Sequence, residues 1–179
     1  MWYNKKIKNK IQALIFTVLI GLSFNSCGYH RQETEFCLPS WIKNIYIAPW
    51  KNNSTELKLG QWITDELRQE FLRDSGIILS PKEEADVILY GTVLNAYTTG
   101  LSYVRYDQAV ERRISVECKV RLVDAKTGKE IWEIPPIYRE EGFYVGKDIM
   151  ATEDLKNLAL RKISQDIAQI IHHKVTERH

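Results

Sequence analysis

"AVERRISVECKVRLV", residues 109–123, alternates between apolar and polar side chains along most of its length. One set is apolar: Val110, Ile114, Val116, Cys118, Val120 and Leu122. The other set is polar: Glu111, Arg113, Ser115, Glu117, Lys119 and Arg121. Because successive side chains of a strand point to opposite faces, this pattern predicts a long β-strand with one face on the core. The fold should therefore be built around a sheet with one buried side.

Further strand and helix patterns lie on both sides of this strand. Strands are predicted over residues 42–49, 85–97 and 130–145, and helices over residues 57–74 and from Thr152 onward. The order of elements is therefore β-α-β-β-β-α. Two amphipathic helices can cover only one face of such a sheet. The sequence thus predicts an α+β fold, with two helices packed on one face of a roughly four-stranded mixed sheet.

Glycine, proline and capping residues set the expected ends of these elements. Gly76 is expected to end the first helix, and Thr152 to cap the second. The buried stripe of the first helix is predicted as Leu59, Ile63, Leu67 and Phe71. The stripe of the second is predicted as Leu155, Leu158, Ile163, Ile167, Ile170 and Ile171. Pro135 and Pro136 interrupt the last strand, which should be an edge strand or broken there. Gly128 should supply a positive φ in the turn before it.

The start of the chain has the layout of an export signal. Four lysines, at positions 5, 6, 8 and 10, precede an uncharged run over residues 11–24. A helix of this run would be about 21 Å long, which is short for a hydrocarbon core of about 30 Å. A cysteine at the cleavage point is typical of lipoproteins, although Phe24 and Asn25 are unusual before it. We therefore expect residues 1–26 to be removed as a signal peptide, and Cys27 to carry a lipid anchor in the membrane.

Loss of the signal changes the charge balance. The whole chain has 25 basic and 23 acidic residues, and the signal contains four lysines and no acid. Its removal leaves 21 basic residues against 23 acidic ones. The positive charge of the whole chain therefore belongs to the signal, and it is no argument for binding to nucleic acid.

The mature chain is expected to have a simple organisation. Residues 27–40 are predicted to form a lipidated linker, and residues 41–175 a single domain that is long enough for a core. Cys37 and Cys118 remain after export and could pair in an oxidising compartment. The position of Cys118 on the apolar side of a strand favours a buried free thiol instead.

The second predicted strand, "VILYGTVLNAY", is apolar on both faces. Its inner positions are predicted as Val87, Leu89 and Val93. Its outward positions are then Ile88, Tyr90 and Leu94. Grouped outward apolar side chains indicate a surface for a partner. The alternative is that the N-terminal segment covers this face, and the pattern alone leaves both possibilities open.

No catalytic or phosphate-binding motif occurs in the chain. There is no G-x-S-x-G, and "GFYVGKD" lacks the spacing and the final Ser or Thr of a P-loop. His172 and His173 are adjacent, so they would point to different sides of a helix, and they are predicted to lie in a solvated tail. The sequence therefore predicts no enzymatic activity, no cofactor and no metal site.

Six stretches follow one another in the mature chain: "CGYH", "IKNIYIAPWKNNSTE", "ITDELRQEFLRDSGIIL", "EADVILYGTVLNAY", "ISVECKVRLVD" and "TGKEIW". In this order and spacing they resemble the LptE family of lipopolysaccharide-assembly lipoproteins. The resemblance extends from Cys27 to about residue 173. It implies a non-enzymatic protein with two helices on one sheet, which agrees with the order of elements above.

The resemblance also implies a location and partners. LptE-like proteins are lipid-anchored on the periplasmic side of the outer membrane, inside the β-barrel LptD. There they plug the lumen, assist assembly of the barrel and contact lipopolysaccharide. A barrel wall would cover the outward apolar positions, so Ile88, Tyr90 and Leu94 are the expected barrel-facing residues.

The connection "TTGLSYVRYDQAVERR" combines cations with aromatic side chains. Arg105, Arg112 and Arg113 suit phosphate groups, because a guanidinium donates paired hydrogen bonds. In LptE-like proteins this loop points into the barrel lumen, and Arg105 best matches a residue in contact with lipopolysaccharide. The alternative is a solvated loop whose arginines pair with Asp107 and Glu111.

Two other functions remain open from the sequence. One is a periplasmic lipoprotein of a different envelope assembly machine, because small α+β domains of similar order occur in such machines. The other is an exported binding protein for a small ligand. A chain that stays monomeric and binds no barrel would favour either of these functions.

Overall fold

The computed structural model describes residues 39, 41–73, 76–105 and 108–176. Its elements in chain order are β1 (Asn44–Ile47), β2 (Lys51–Asn52), α1 (Leu59–Arg73), β3 (Ile78–Leu79), a short 3-10 helix (Lys82–Glu84), β4 (Val87–Arg105), β5 (Gln108–Asp124), β6 (Glu130–Tyr144) and α2 (Ile149–Thr176).

A six-stranded mixed sheet forms the centre of the described part of the chain. Five of the strands are hydrogen-bonded in the order β3-β1-β4-β5-β6. The sixth strand, β2, pairs with β4. The pairings of β1 with β3 and β4, and of β2 with β4, are parallel, whereas β4, β5 and β6 are antiparallel. The α+β class is confirmed, but the sheet has more strands than predicted. The additional strands, β2 and β3, have only two residues each, too few to show an alternating pattern.

The core lies between the sheet and the two helices. The predicted inner positions of β4 are all buried: Val87, Leu89 and Val93. The predicted stripe of α1 is buried as well: Leu59, Ile63, Leu67 and Phe71. On β5 the buried inner positions run from Ile114 to Leu122, whereas Val110 near the start of the strand is exposed. Periodicity therefore predicted the centre of the sheet correctly, and the apolar pattern extends past the core at one end.

The buried stripe of α2 differs from the prediction at Leu158. That side chain is 64 % exposed, while Leu160 is fully buried. Two positions along a helix correspond to about 200° of rotation, so the two leucines cannot both face the core. Leu155 and Ile170 are only partly buried against the core. The buried residues of α2 are Ala159, Leu160, Ile163, Ser164, Ile167, Ala168, Ile171 and Val175.

Asp148, rather than Thr152, caps the N-terminus of α2. The backbone N–H of Ala151 donates to Oδ1 of Asp148 at 2.8 Å, which is the usual N-cap geometry. Thr152 lies inside the first turn, where its hydroxyl donates to the carbonyl oxygen of Asp148 at 2.8 Å. The same hydroxyl accepts the N–H of Gly146 at 3.0 Å. The predicted cap is therefore wrong, because the helix starts earlier than the apolar pattern indicates.

The turn between β5 and β6 depends on Asp124 and Gly128. Oδ1 of Asp124 accepts the backbone N–H of Lys126 at 3.0 Å and of Thr127 at 2.7 Å. Gly128 has a φ of 70°, as predicted from the sequence. This conformation is strained for residues with a Cβ atom, so glycine fits the position.

β6 lies at the edge of the described sheet, as predicted. Its pairing with β5 changes from Cys118 opposite Ile137 to Val120 opposite Ile134. β6 therefore has one extra residue in this interval, and Pro135–Pro136 lies in the resulting bulge. The two prolines distort the strand without ending it.

The predicted signal peptide, Cys27 and Cys37 all lie outside the described residues. Within the described residues, no helix is both long and apolar enough to cross a bilayer. Cys118 is a free and fully buried thiol. Burial raises its pKa to about 12, with a smaller contribution from the carboxylate of Glu117.

Candidate functional site

The candidate site is the outer face of the sheet, defined as the side opposite the two helices. Its side chains alternate along β4, β5 and β6 with those of the core. Neither α1 nor α2 packs on it, because their buried residues belong to the core on the other side. The outer face is formed mainly by Tyr46, Ile88, Tyr90, Thr92, Tyr97, Arg113, Ser115, Lys119, Arg121, Val123, Glu133 and Tyr138.

The three predicted barrel-facing residues differ in exposure. Ile88 is only 6 % exposed, so the expectation of an exposed side chain is wrong there. Its neighbours across the sheet are Tyr46 on β1 and Val123 on β5, and their side chains share its face. Tyr90 is half-buried. Leu94 is 37 % exposed and lies at a break in the pairing of β4 with β5.

A hydrogen-bonded network crosses the outer face near its centre. The hydroxyl oxygens of Tyr97 and Tyr138 are 3.3 Å apart. Tyr138 donates in turn to Oε2 of Glu140 at 3.0 Å. Oε1 of the same carboxylate is 2.8 Å from Nη1 of Arg113. This network connects all three long strands and holds both tyrosine rings half-exposed on the surface.

The region predicted as a loop around Arg105 is mostly strand. β4 continues to Arg105, which pairs with Gln108 at the start of β5. Only residues 106 and 107 separate the two strands. The many residues between Thr98 and Val104 with high β-propensity explain the extension. The side chain of Arg105 lies outside the described part of the structure, as does Asp107.

Arg112 and Arg113 point to opposite faces of β5, because they are consecutive residues of one strand. Arg113 lies on the outer face and pairs with Glu140, rather than with Glu111, among the described residues. Arg112 lies on the helix side near the end of the strand, where it is exposed. It has no ion pair with a described residue. The structure thus separates the arginines that the sequence placed in one site.

A cleft of about 510 Å³ opens on the outer face where β2, β4 and β5 meet. Lys51, Lys119 and Arg121 line it together with Tyr46 and Tyr90. The guanidinium carbon of Arg121 lies 5.1 Å from the centre of the Tyr90 ring, in a cation–π contact. No pattern in the sequence predicts this cleft, because it depends on the pairing of the two-residue strand β2.

Metal-binding and histidine chemistry find no support among the described residues. No group of three or more His, Cys, Asp or Glu side chains is placed to hold a metal ion in that part of the chain. His172 is not part of a solvated tail, as α2 continues to Thr176. Its ring packs edge-on against Phe71, with 4.9 Å between the ring centres. The histidine therefore contributes to the contact between the two helices.

Comparisons with solved structures show related folds. Lipoprotein B of Nitrosomonas europaea, described as uncharacterized, is 16% identical with a TM-score of 0.52, over 73% of this chain and 80% of that chain. The hypothetical protein CT253 of Chlamydia trachomatis is 13% identical with a TM-score of 0.50, over 75% of this chain and 98% of that chain. At these identities the likeness shows the fold alone. A search of curated proteins found no match.

The family comparison covers most of the chain. Residues 42–175 match the model of the LptE family, described as lipopolysaccharide-assembly. The match spans every strand, α1 and all but the last residue of α2. The chain therefore belongs to the LptE family, and it is an envelope lipoprotein of the lipopolysaccharide-assembly type.

Proposed function

We propose that this protein is an outer-membrane lipoprotein that plugs an LptD-type β-barrel and assists its assembly for lipopolysaccharide transport to the outer leaflet. It is held on the periplasmic side of the membrane by acyl chains on Cys27. Residues 41–175 act as one non-enzymatic domain that binds the barrel through the outer face of its sheet.

One observation carries the barrel association: a broad face of the sheet is left without a helix over it. Aromatic and apolar side chains remain accessible along this face, including Tyr97 at 44 %, Tyr138 at 45 % and Leu94 at 37 %. Tyrosines are well suited to a protein interface, because each combines a large apolar ring with a hydroxyl that can bond a partner. A barrel wall would bury these rings and leave the helices in contact with solvent.

The same proposal assigns the contact with lipopolysaccharide to the end of the sheet where β4 and β5 connect. Arg105, Arg112 and Arg113 all belong to this end. Of the two arginines whose side chains the structure describes, Arg112 is the better placed, because it is exposed and has no carboxylate partner among the described residues. Arg113 has to release Glu140 before its guanidinium can bind a phosphate group fully.

A different occupant of the outer face would change the function. If the segment before residue 41 covers the face, the protein resembles other small envelope lipoproteins more closely than a barrel plug. An association with another envelope machine, or binding of a small exported ligand, would then be the better description. Identification of what co-purifies with the protein separates these outcomes.

The test is a pull-down of the tagged protein from membranes solubilised in mild detergent. We expect a large β-barrel to co-purify in a one-to-one ratio. Tyr90→Glu combined with Leu94→Glu should reduce its recovery by about tenfold or more, which corresponds to about 1.4 kcal/mol. Ile88 is left unchanged in this variant, because a charge at that buried position would destabilise the monomer.

Leu72→Glu supplies the matched control. Leu72 is 70 % exposed on α1, in the helix layer and away from the outer face. Recovery of the barrel with this variant should equal that of the unchanged protein, and circular dichroism should show native folding for both variants. Full recovery of the barrel with the Tyr90 and Leu94 variant would show that the outer face is not the interface. Co-purification of a different envelope assembly machine in place of the barrel would contradict the proposed barrel association.

A further inference from the structure

One edge of β4 has no strand beside it over the second half of its length. On that side β4 pairs first with β1 and then with β2, and the last pair joins Asn52 to Val93. Just after this pair, the backbone N–H of Asn53 donates to the carbonyl oxygen of Val93 at 3.0 Å. β4 continues to Arg105, and in the described part of the chain no strand pairs with this side beyond Val93. A row of backbone N–H and C=O groups is therefore left open.

The open edge lacks the side chains that usually protect an edge strand. Residues 94–104 read "LNAYTTGLSYV" and contain no charged residue and no proline. Thr and Tyr, which favour strands, are frequent in this stretch. All of its side chains from Leu94 to Leu101 are exposed except that of Ala96. The edge formed by β6, in contrast, carries Pro135–Pro136 and several charged residues. An uncharged, proline-free edge readily pairs with another strand, so we expect a strand to cover it.

The regular part of this edge is short. The pairing of β4 with β5 is irregular between Val93 and Asn95, and again beyond Gly100. Between these two points, Asn95–Gly100 pairs residue for residue with β5. Because bulges twist a strand away from a straight neighbour, a further strand can add over about six residues, or about 20 Å.

The N-terminal segment of the same chain is too short to supply the missing strand. β1 runs parallel to β4 and begins near Asp86, whose backbone N–H donates to the carbonyl oxygen of Asn44 at 3.0 Å. Thr98 lies about 40 Å further along β4. Residues 27–38 of the expected mature chain extend to about 40 Å at most. None of them would then remain to pair with the edge.

The same edge of a second copy fits this one. Side chains that lie opposite each other in an antiparallel pair share one face, so a two-fold axis has to pass through a residue position. An axis at Thr98 places Thr98 opposite its own copy, and Tyr97 opposite Thr99 of the second copy. Pairs of threonines, and pairs of an aromatic with a β-branched residue, stabilise sheets. No like charges meet, because this stretch carries none.

We infer that two copies of the free protein pair through residues 95–100 of β4, antiparallel across a two-fold axis, into one continuous sheet. The dimer is closed, because each copy uses up its open β4 edge. The short regular stretch makes it a weak and reversible dimer, at the low end of interface sizes. The inference does not depend on the proposed barrel association, because the pairing uses backbone groups of the edge.

Sedimentation equilibrium of the purified full-length protein in density-matched detergent tests the inference. We expect the mass to rise from that of one copy towards that of two between about 1 µM and about 100 µM protein. Thr98→Lys places two like charges opposite each other and should weaken the dimer by about tenfold or more. Gln69→Lys adds the same charge on the exposed surface of α1 and should leave the dimer unchanged. A protein that stays monomeric, or a dimer of equal stability in both variants, would overturn the inference.

A disulfide tests the register of the pairing. Thr98→Cys, in a chain that also carries Cys37→Ser, should cross-link two copies on oxidation, because Cα atoms directly opposite each other are about 4.5–5.5 Å apart. Gln69→Cys in the same background should not cross-link. Cys118 is fully buried and does not compete. Absence of the Thr98→Cys cross-link in a folded protein would overturn the inference.

Two further measurements complete the test. If circular dichroism shows that Thr98→Lys does not fold, Thr99→Lys takes its place, because Thr99 is also exposed on the edge, and it should weaken the dimer as well. Recovery of the barrel by the folded lysine variant should be unchanged, which separates the dimer from the proposed function. If the unchanged protein is monomeric and the lysine variant loses the barrel, the edge takes a strand of the barrel, and the pairing of two copies is wrong.

Discussion

Trp50 packs directly against the backbone of Gly91. A Cβ atom built at Gly91 would lie 1.9 Å from Cε2 of the Trp50 ring, far inside van der Waals contact. The indole is 7 % exposed and belongs to the core. Its position is fixed by its backbone N–H, which donates to Oγ1 of Thr64 on α1 at 3.1 Å. The missing side chain of Gly91 thus makes room for a ring that joins the sheet to the first helix.

Gly91→Ala is therefore expected to destabilise the protein, although alanine is usually the better residue in a strand. Overpacking of a core typically costs about 1–3 kcal/mol, and here the neighbour is a rigid ring. Denaturant unfolding followed by circular dichroism measures the loss. Gly142→Ala in β6 is the control, because its Cβ would meet nothing closer than Oε1 of Glu111 at 3.5 Å. Equal stability of the two variants would contradict the close packing at Gly91.

Asp86→Ala should destabilise the connection between β1 and β4. The carboxylate accepts the backbone N–H groups of Lys43 at 3.0 Å and Asn44 at 2.9 Å. These two hydrogen bonds hold the pKa of Asp86 below its usual value. Since the folded pKa is lowered, the stabilisation is present above the unfolded pKa and is lost as the pH falls through the folded pKa. We expect a loss of about 1–3 kcal/mol at pH 7.

The pH dependence supplies the check for Asp86. The difference in unfolding free energy between Asp86→Ala and the unchanged protein should shrink as the pH falls below about 4. Asp154→Ala, on the exposed surface of α2, provides the comparison. A difference that stays constant down to pH 2 would show that the charge of Asp86 has no part in its effect.

Cys118 should be unreactive in the folded protein. Its thiol is fully buried in the core, and its pKa is raised to about 12 by burial. Only the thiolate reacts with alkylating agents, so at pH 8 both access and charge oppose the reaction. Peptide mass spectrometry after treatment with iodoacetamide should show no label on Cys118 until guanidinium is added. Rapid labelling of the native protein would place this residue outside the core.

Cys27 should be the first residue of the mature protein. The basic head, the short apolar run and the cysteine that follows predict cleavage before it. Mass spectrometry of the mature N-terminus should find a cysteine modified with diacylglycerol. The same spectra show whether its amino group is acylated as well. Gly28 follows, rather than the Asp that would direct retention in the inner membrane, so the protein should fractionate with the outer membrane. Cys27→Ala should release it from that fraction, and an intact residue 1–26 segment in the mature protein would contradict the prediction.

Arg112→Glu should weaken binding of purified lipopolysaccharide. The side chain is exposed and has no ion pair with a described residue, so reversal of its charge acts on the ligand directly. Arg113→Glu should also weaken binding of lipopolysaccharide. The new carboxylate would in addition repel Glu140, which lowers the stability of the folded protein. Arg73→Glu at the end of α1 is the control, because this arginine also pairs with a surface carboxylate, that of Glu70 at 2.9 Å. If all three variants bind lipopolysaccharide with equal affinity, this end of the sheet does not contact it.

The long elements could be predicted because each has its own period. The alternation of residues 109–123 and the spacing of Leu59, Ile63, Leu67 and Phe71 both describe faces that pack on the core. Such a period needs several turns or residue pairs before it becomes visible. β2 and β3 are too short for that, and they form only because β4 and β1 offer them backbone groups to pair with.

The candidate site was harder to predict, because it depends on which residues face each other across strands. Ile88 is buried through Tyr46 and Val123, which are distant from it in the sequence. Arg113 finds Glu140 on β6 for the same reason. One feature of the sequence does indicate such a contact: an isolated glycine inside a strand, such as Gly91, often marks a close approach by another part of the chain.

The Pro135–Pro136 bulge lies on the outermost strand of the described sheet. A regular edge strand presents a row of N–H and C=O groups on which a second chain can build, and this is how many sheet proteins aggregate. Proline has no N–H to donate, so the row of donors is interrupted at this bulge, and the extra residue puts the remaining groups out of step with a straight strand. The edge therefore discourages the addition of a foreign strand. Copies of this chain are thereby less able to join through β6 into a continuous sheet, even where the protein is crowded.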